Sequence, residues 1–293
     1  MATTPPSPFT FVLVGAGRVG TAVGELLVRA GHEPLGVSSR SHERRDAAAA
    51  RFQVPVVEPD RLPPSDVVLL GVPDAALAEV AGVVAPALRP GTVVIHFSGT
   101  SGIRPLAAAV VAGARACALH PVQACPDVDT AITRLPGSYW GVTTTTEARD
   151  WAIALVRDGL AGTPVEVREA DRPVWHAAAV TASNGIAGLM AVGEHLLRSI
   201  GVAEPDEVLG PLARGTVENA IDGGGGGLTL TGPAVRGEHN TFVRHLDALA
   251  RTAPQLVAGY TLAARLVLEA AGLEGRIDTD AATRLLALLE EPR

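Results

Sequence analysis

Apolar residues in the first half of the chain form short runs separated by amphipathic stretches. Continuous apolar runs at 9–14, 66–72 and 92–97 are typical of strands covered on both faces. The stretches at 19–29 and 74–88 between these runs have a helical pattern. This repeated strand–helix–strand order predicts an α/β fold with a parallel, doubly wound sheet.

The alternation continues to about residue 167. Four further strands are expected at 35–37, 114–119, 139–144 and 164–167. Three further helices are expected at 44–52, 105–112 and 148–158. The last two strands are expected to extend the same sheet.

The pattern changes at Asp171, after which no convincing strand follows. Asp171 and Pro173 are typical of a helix start, and this helix is expected to run to about Ile200. Four more helices are predicted at 205–221, 241–250, 254–271 and 279–289. We therefore predict two domains, an N-terminal α/β domain at 1–168 and an all-helical domain at 169–293.

The expected homodimer depends on the long helix. Its run from 177 to 192 is small and apolar with almost no charge, so it has no evident solvent face. A helix that is apolar all round must be covered on all sides. The other predicted helices are too few to cover the long helix on all sides. The helices of a second chain would cover the remaining surface.

Composition excludes some classes of partner. The net charge is −7, and no lysine is present, so all 24 cationic side chains are Arg. Without a basic cluster, nucleic acid is not an expected partner.

Two cysteines, Cys117 and Cys125, favour a reduced cytoplasmic setting over a disulfide framework. The polar start is not a signal peptide, and the apolar stretches are interrupted before about 18 residues, so no membrane span is expected.

A G-x-G-x-x-G motif lies between the first strand and the first helix. Gly15 permits a tight turn, Gly17 lets a pyrophosphate approach the backbone, and Gly20 lets helix and strand pack closely. A chance glycine turn is the alternative, but the strand, helix and next strand are all in register. The residues expected to bind a dinucleotide here are Gly15, Gly17, Arg18, Val19 and Gly20.

The end of the second strand distinguishes NAD from NADP. An NAD site usually has an acid there, whereas this strand ends in Ser38-Ser39-Arg40-Ser41 with no carboxylate before Glu43. Ser39 and Arg40 suit a 2′-phosphate, so NADP(H) is the expected cofactor. Ordinary capping and surface roles are the alternative. Val72 and Pro73 are expected to line the same crevice, while Asp74 is expected to cap a helix.

Three histidines are candidates for the catalytic side. His96 and His120 follow strands, where α/β sheets bind ligands, and His176 begins the long helix. Ser98 lies beside His96, and Asn184 lies two helical turns after His176, ~12 Å along the axis on the same face. Each histidine could instead be a packed interface residue. No histidine or cysteine spacing indicates a metal site.

Several longer stretches together resemble one bacterial family. They are the glycine motif, His96-Phe97-Ser98-Gly99, Leu119-His120-Pro121-Val122-Gln123, the segment from His176 to Ser183-Asn184, Arg214-Gly215-Thr216-Val217-Glu218-Asn219, and 230–238. In these stretches the chain resembles the Rossmann-plus-DUF2520 family. That family is similar to ketopantoate reductases, pyrroline-5-carboxylate reductases and 6-phosphogluconate-dehydrogenase-like enzymes. The resemblance implies a Rossmann domain followed by a 6-phosphogluconate-dehydrogenase-like helical domain.

The chain departs from the related ketoacid reductases at one position. Those enzymes place a Lys on the first long helix of the second domain, with Asn one or two turns later. Here His176 matches the first position, Val180 the one-turn position and Asn184 the two-turn position. With no lysine in the chain, His176 is the candidate acid, since an imidazole titrates near neutrality.

The sequence thus predicts an NADP(H)-dependent reductase of a small carbonyl substrate, with ketopantoate-like 2-oxo acids favoured. The catalytic candidates are His176, Asn184, His120 and Ser98. Ser183, Arg214 and Arg236 are candidates for binding the substrate, the arginines as carboxylate clamps or else as solvated helix ends. The alternatives are a cyclic imine reductase and a non-catalytic NADP-binding sensor or scaffold, which the missing lysine favours.

Overall fold

A computed structural model of the chain describes residues 7–290. These residues form two compact units, 7–181 and 182–290. The division lies after the first helix that follows residue 168, because this helix packs within the first unit. The domain boundary expected after residue 168 and the division in the structure therefore differ by one helix.

The first unit contains one seven-stranded sheet with helices on both faces. Its strands are β1 Thr10–Val14, β2 Glu33–Ser38, β3 Val67–Leu70, β4 Val93–His96, β5 Arg115–Pro121, β6 Tyr139–Thr144 and β7 Thr163–Glu166. Its α-helices are α1 Arg18–Arg29, α2 His42–Phe52, α3 Leu77–Val84, α4 Ala107–Val111, α5 Val128–Arg134, α6 Arg149–Ala154 and α7 Arg172–Val180.

Sheet order places the glycine motif at a crevice. The strands lie in the order β2-β1-β3-β4-β5-β6-β7, so the chain turns from one side of β1 to the other between β2 and β3. The carboxyl end of β1 lies at this switch point, which is where open α/β sheets bind ligands. The first five strands are parallel, as the sequence predicts.

Strand β6 runs antiparallel to β5, and β7 runs parallel to β6. The expectation of a wholly parallel sheet is therefore wrong for these two strands. The short helix α5, which the sequence analysis missed, lies between β5 and β6 and begins at Asp127, whose side chain accepts from the backbone N–H of Thr130.

Alternate residues of each buried strand face opposite layers. In β1, Phe11 and Leu13 pack with one group of helices, while Val12 and Val14 pack with the other. All four side chains are buried. The continuous apolar runs in the sequence therefore reflect burial of the strands on both faces of the sheet, as the sequence analysis inferred.

The second unit is all-helical, as predicted. Its helices are α8 Ile186–Ser199, α9 Pro205–Asp222, α10 His239–Thr252, α11 Val257–Leu273 and α12 Thr279–Glu290. Its core is built from α10, α11 and α12 around Phe242, Leu246 and Leu268. The uninterrupted helix expected from 171 to 200 is instead divided by a π-helical turn at Thr181–Gly185.

One described helical stretch, Pro254–Leu273, is long and apolar enough to cross a membrane by length and composition alone. The stretch contains Gly259, Arg265 and Glu269, which are interruptions of the kind expected from the sequence. Only 17% of its most apolar part is buried. Several large side chains on it, such as Leu262 and Leu266, are exposed.

Candidate active site

The glycine motif is fixed by close packing against the end of β3. Gly15 has φ +87°, and a Cβ atom there would lie 2.3 Å from Cγ1 of Val72. A Cβ on Gly20 would lie 2.9 Å from Cα of Gly71, which agrees with the helix–strand contact expected at Gly20. A Cβ on Gly17 would lie 2.5 Å from the carbonyl oxygen of Gly71, so Gly17 is required by the protein's own backbone.

A groove of about 700 Å³ lies along this motif. Every residue predicted to bind the cofactor lines it, namely Gly15, Gly17, Arg18, Val19, Gly20, Ser39, Arg40, Val72 and Pro73. Helix α1 begins here after Gly17, whose position has no side-chain cap. The first N–H groups of a helix have no partner within it, so they form an anion-binding site.

At the carboxyl end of β2 the groove is lined by hydroxyl and guanidinium groups. Within residues 7–290, the side chains of Arg40 and Arg44 make no hydrogen bond or ion pair. Ser41 accepts from the backbone N–H of Arg44 and so caps α2. Two cations without protein partners thus face a groove whose β2 end has no carboxylate, a combination that suits a phosphate.

His96, at the end of β4, has a structural role. Its ring is fully buried, its Nε2 lies 2.7 Å from the carbonyl oxygen of Gly102, and its Nδ1 accepts from the N–H of Ser98 at 3.1 Å. Burial lowers the pKa of His96 to about 4, so the ring is neutral near pH 7. It therefore fixes the loop that carries Ser98.

The hydroxyl of Ser98 is held between two groups of the protein. It donates to Oδ2 of Asp74 at 2.6 Å and accepts from the backbone N–H of Ser101 at 3.0 Å. The expectation that Asp74 caps a helix is therefore wrong, because its carboxylate makes no cap hydrogen bond. Both Asp74 and Ser98 line the groove, so this pair adds polar chemistry to its surface.

His120 and His176 meet beside Ser98. Their ring centroids are 5.5 Å apart, and the two rings are nearly perpendicular. Gly99 provides the space, since a Cβ atom there would lie 2.3 Å from Cδ2 of His176 and 2.8 Å from Nε2 of His120. The indole Nε1–H of Trp175 donates to Nδ1 of His120 at 3.1 Å. The end of β5 and the start of α7 therefore bring the two predicted histidines together.

A buried arginine ties the parts of this site to one another. Arg172, at the start of α7, is fully buried and donates to the carbonyl oxygens of Ser98, Ser101 and Gly141. Burial lowers its pKa to about 10, so it stays cationic near pH 7. The sequence analysis missed Arg172, because a single Arg beside Pro173 at the start of a helix is typical of a surface residue.

The remaining candidates lie in other parts of the chain. Ser183 and Asn184 are exposed in the π-helical turn, and the wider turn changes the angular relation to His176 that an unbroken α-helix would give. Arg214 is exposed on α9, and Arg236 is exposed and paired with Glu238. Their roles in substrate binding stay predictions.

Comparison with known protein families assigns most of the chain. Residues 5–121 match the model described as a Rossmann-like domain, and residues 138–267 match the model described as a domain of unknown function, DUF2520. No curated protein matches the sequence.

Solved structures share the fold. A proposed NADP oxidoreductase from Bacteroides fragilis is 22% identical, with a TM-score of 0.72 over 89% of this chain and 98% of that chain. A Thermotoga maritima protein is 20% identical, with a TM-score of 0.68 over 90% of this chain and 99% of that chain. The 1-pyrroline-5-carboxylate reductase of Streptococcus pyogenes is 17% identical, with a TM-score of 0.55 over 96% of this chain and 99% of that chain. These structures share the fold of the chain, and the two domain matches identify it as a Rossmann-like plus DUF2520 protein.

Proposed function

We propose that this protein is an NADP(H)-dependent oxidoreductase that reduces a small carbonyl substrate, with 2-oxo acids of the ketopantoate type favoured. One observation carries the proposal. A groove lined by the glycine motif and by Arg40 is also lined by Ser98, and the next residue, Gly99, lies against the rings of His120 and His176, which do not themselves line the groove. The groove and the histidine pair therefore adjoin the same loop after β4, within one unit.

The residues present fit an NADP dinucleotide. The start of α1 offers N–H groups to the pyrophosphate, and the glycines keep the backbone free of side chains at that point. Arg40 and Arg44 offer two guanidinium groups to the 2′-phosphate. When bound, the reduced cofactor supplies the hydride that a carbonyl carbon accepts.

The protein's own residues then protonate the oxygen of the substrate and hydrogen-bond to it. His176 is the proposed acid, in the place where related ketoacid reductases have Lys. His120 lies against Gly99 beside His176, and the Ser98–Asp74 pair lines the neighbouring groove. Hydrogen-bond donors fixed in a partly buried pocket stabilise charge that develops on an oxygen without having to reorganise.

The printed descriptions of similar structures agree with this cofactor. One is a proposed NADP oxidoreductase, and another is a reductive aminase from Aspergillus terreus in complex with NADPH. The second description and the pyrroline-5-carboxylate reductases motivate reduction of a cyclic imine as the second candidate. The absence of lysine motivates the third, a protein that binds NADP without catalysis.

Two measurements test the proposal. We expect NADPH to bind to the wild-type protein and to be oxidised with at least one 2-oxo acid in a panel of oxo acids and cyclic imines, followed by loss of NADPH absorbance. Gly15→Val should abolish binding, since its side chain would collide with Val72. Gly82→Val, at a site where a Cβ meets nothing within 4 Å, is the control.

The outcomes separate the three candidates. Turnover restricted to cyclic imines would replace the carbonyl substrate with an imine. NADPH binding with no turnover of any compound would favour the non-catalytic protein. Absence of NADPH binding would contradict the proposal as a whole.

A further inference from the structure

The hydrogen bond between Trp175 and His120 determines which nitrogen of the imidazole carries the proton. An indole N–H can only donate, so Nδ1 of His120 must accept at the observed 3.1 Å. A neutral imidazole has one N–H, and with Nδ1 unprotonated that proton is on Nε2. Trp175 therefore fixes His120 as an Nε2–H donor.

The Nε2 atom of His120 lies close to the backbone of a glycine. A Cβ atom on Gly99 would lie 2.8 Å from Nε2, so any larger residue would cover the nitrogen. Within residues 7–290, no group of the protein hydrogen-bonds to Nε2, and this atom is not among the fully buried unpaired polar atoms. The Nε2–H group is thus both free and accessible.

Burial is the main reason that the ring of His120 is neutral. Burial, together with the smaller effects of Arg172 and His176, lowers the pKa of His120 to about 4, while Asp74 acts in the opposite direction. The imidazole is therefore a neutral donor throughout the range near pH 7, and it does not need to be deprotonated to act.

The same surroundings disfavour a cation at this position. Arg172 is fully buried and makes no ion pair within the described residues, because its hydrogen bonds go to three backbone carbonyls. The carboxylates of Glu169 and Asp74 act on this charge without an ion pair, so they offset it only in part. At His120, burial and Arg172 disfavour a positive charge more strongly than Asp74 favours one.

We propose that His120, oriented by Trp175, presents its Nε2–H group to the oxygen of a substrate carbonyl and so selects carbonyl over iminium substrates. This inference rests on the reductase function proposed above. When the carbonyl carbon accepts a hydride, the π electron pair of the C=O bond moves onto the oxygen. A hydrogen bond from the Nε2–H group then stabilises the negative charge on that oxygen. The oxygen then takes its proton from His176, which is replenished from solvent.

An iminium ion does not fit the same donor. Its nitrogen has no lone pair to accept a hydrogen bond, and its positive charge would lie in the field of Arg172. His120 is in this sense a specificity-determining residue, and Trp175 is a positioning residue that acts through it.

The tautomer can be tested without substrate. In the full-length wild-type protein with ¹⁵N-labelled histidine, we expect the His120 signals, assigned by their loss in His120→Gln, to show a protonated Nε2 and a bare Nδ1 from pH 8 to pH 5. In Trp175→Phe, the ring should become a mixture of tautomers. Trp151→Phe, which changes a half-buried tryptophan packed on Phe9, is the matched control and should leave the signals unchanged. A protonated Nδ1, or an imidazolium at pH 6, would overturn the proposal.

Ligands test the selectivity. In wild-type protein saturated with NADP⁺ near pH 7, oxamate, a carbonyl-bearing mimic of a 2-oxo acid, should shift the Nε2 signal of His120. Pyrrolidine, which is a cation at this pH, should leave the signal unchanged. An equal response to both, or a response to pyrrolidine alone, would refute the selectivity.

Turnover separates this inference from the proposed function. Using 2-oxopentanoate and 1-pyrroline-2-carboxylate as a matched pair, we expect His120→Phe, which removes the N–H donor, to lower kcat for the oxo acid by at least tenfold and to reduce the ratio of oxo-acid turnover to imine turnover. Full turnover of the oxo acid by His120→Phe would reject the role of His120 while leaving the reductase intact. Absence of turnover by the wild type, with the expected oxamate response, would reject the reductase and leave the donor in place.

Discussion

A Cβ atom on Gly99 would lie 2.3 Å from Cδ2 of His176, so no side chain fits at position 99 while this histidine keeps its place. Gly99→Ala should therefore displace the rings of His176 and His120. Misplacement of catalytic groups by about 1 Å lowers rates on the order of 100-fold. We expect kcat to fall by this amount with NADPH affinity unchanged, as measured by steady-state kinetics and NADPH fluorescence. Gly82→Ala is the control, and a full-rate Gly99→Ala enzyme would contradict this geometry.

Arg40 is predicted to discriminate NADPH from NADH. One charge-assisted contact to the 2′-phosphate contributes roughly 1.5–3 kcal/mol, so Arg40→Ala should weaken NADPH by roughly 10- to 100-fold and leave NADH nearly unchanged. Fluorescence titration with both cofactors measures this difference. Arg45→Ala, which removes a cation paired with Asp46 and not lining the groove, is the control. Equal weakening of both cofactors would show that Arg40 does not contact the phosphate.

Arg172 is predicted to stabilise the first unit as well as the site. Arg172→Met leaves three carbonyl oxygens without their donor, and unsatisfied buried groups destabilise by about 1–3 kcal/mol each. We expect the free energy of unfolding to fall by about 3 kcal/mol or more in urea denaturation. Arg168→Ala, which breaks an exposed pair with Asp171, should change it by less than about 1 kcal/mol. Similar small losses in both variants would argue against a structural role for Arg172.

Acid is predicted to destabilise the protein through His96. Its pKa is about 4 in the folded state against an ordinary value of 6.5, so the unfolded chain binds more protons between these limits. The associated stability is fully present above pH 6.5 and is lost as the pH falls through about 4, at roughly 3 kcal/mol in total. Urea denaturation at several pH values should show this slope. His96→Asn should reduce the slope but leave the part that His120 contributes, because its pKa is also about 4. The exposed His42→Asn should leave the slope unchanged.

The second unit is proposed to form a homodimer. Large apolar side chains on α8 and α11 are exposed, among them Leu189 at 41% and Leu262 at 71%. A second copy of the chain would bury such surfaces, which seldom stay exposed in contiguous patches. Light scattering at low micromolar concentration should give twice the 30.0 kDa of one chain. Leu262→Glu should reduce the mass, and Val111→Glu on the first unit should not. A wild-type mass near 30.0 kDa would refute the dimer.

Local patterns in the sequence determined most of the elements and the glycine-rich loop after β1. The alternation of strands and helices follows from burial on both sheet faces, and residues 15–20 combine with their flanking strand and helix within a single continuous stretch. Such features depend on neighbours along the chain, so periodicity and glycine spacing are sufficient to predict them. The position of His120 near the end of a strand and that of His176 on a helix were also visible there.

Only the tertiary structure decided which of these groups act together. The His120–Trp175 bond joins residues 55 apart, and the Ser98–Asp74 bond joins residues 24 apart. Contacts of this kind depend on strand order and on the packing of α7, neither of which is encoded in local periodicity. The same holds for the burial of Arg172, because a cation is stable inside a protein only where the fold brings acceptors to it from several segments.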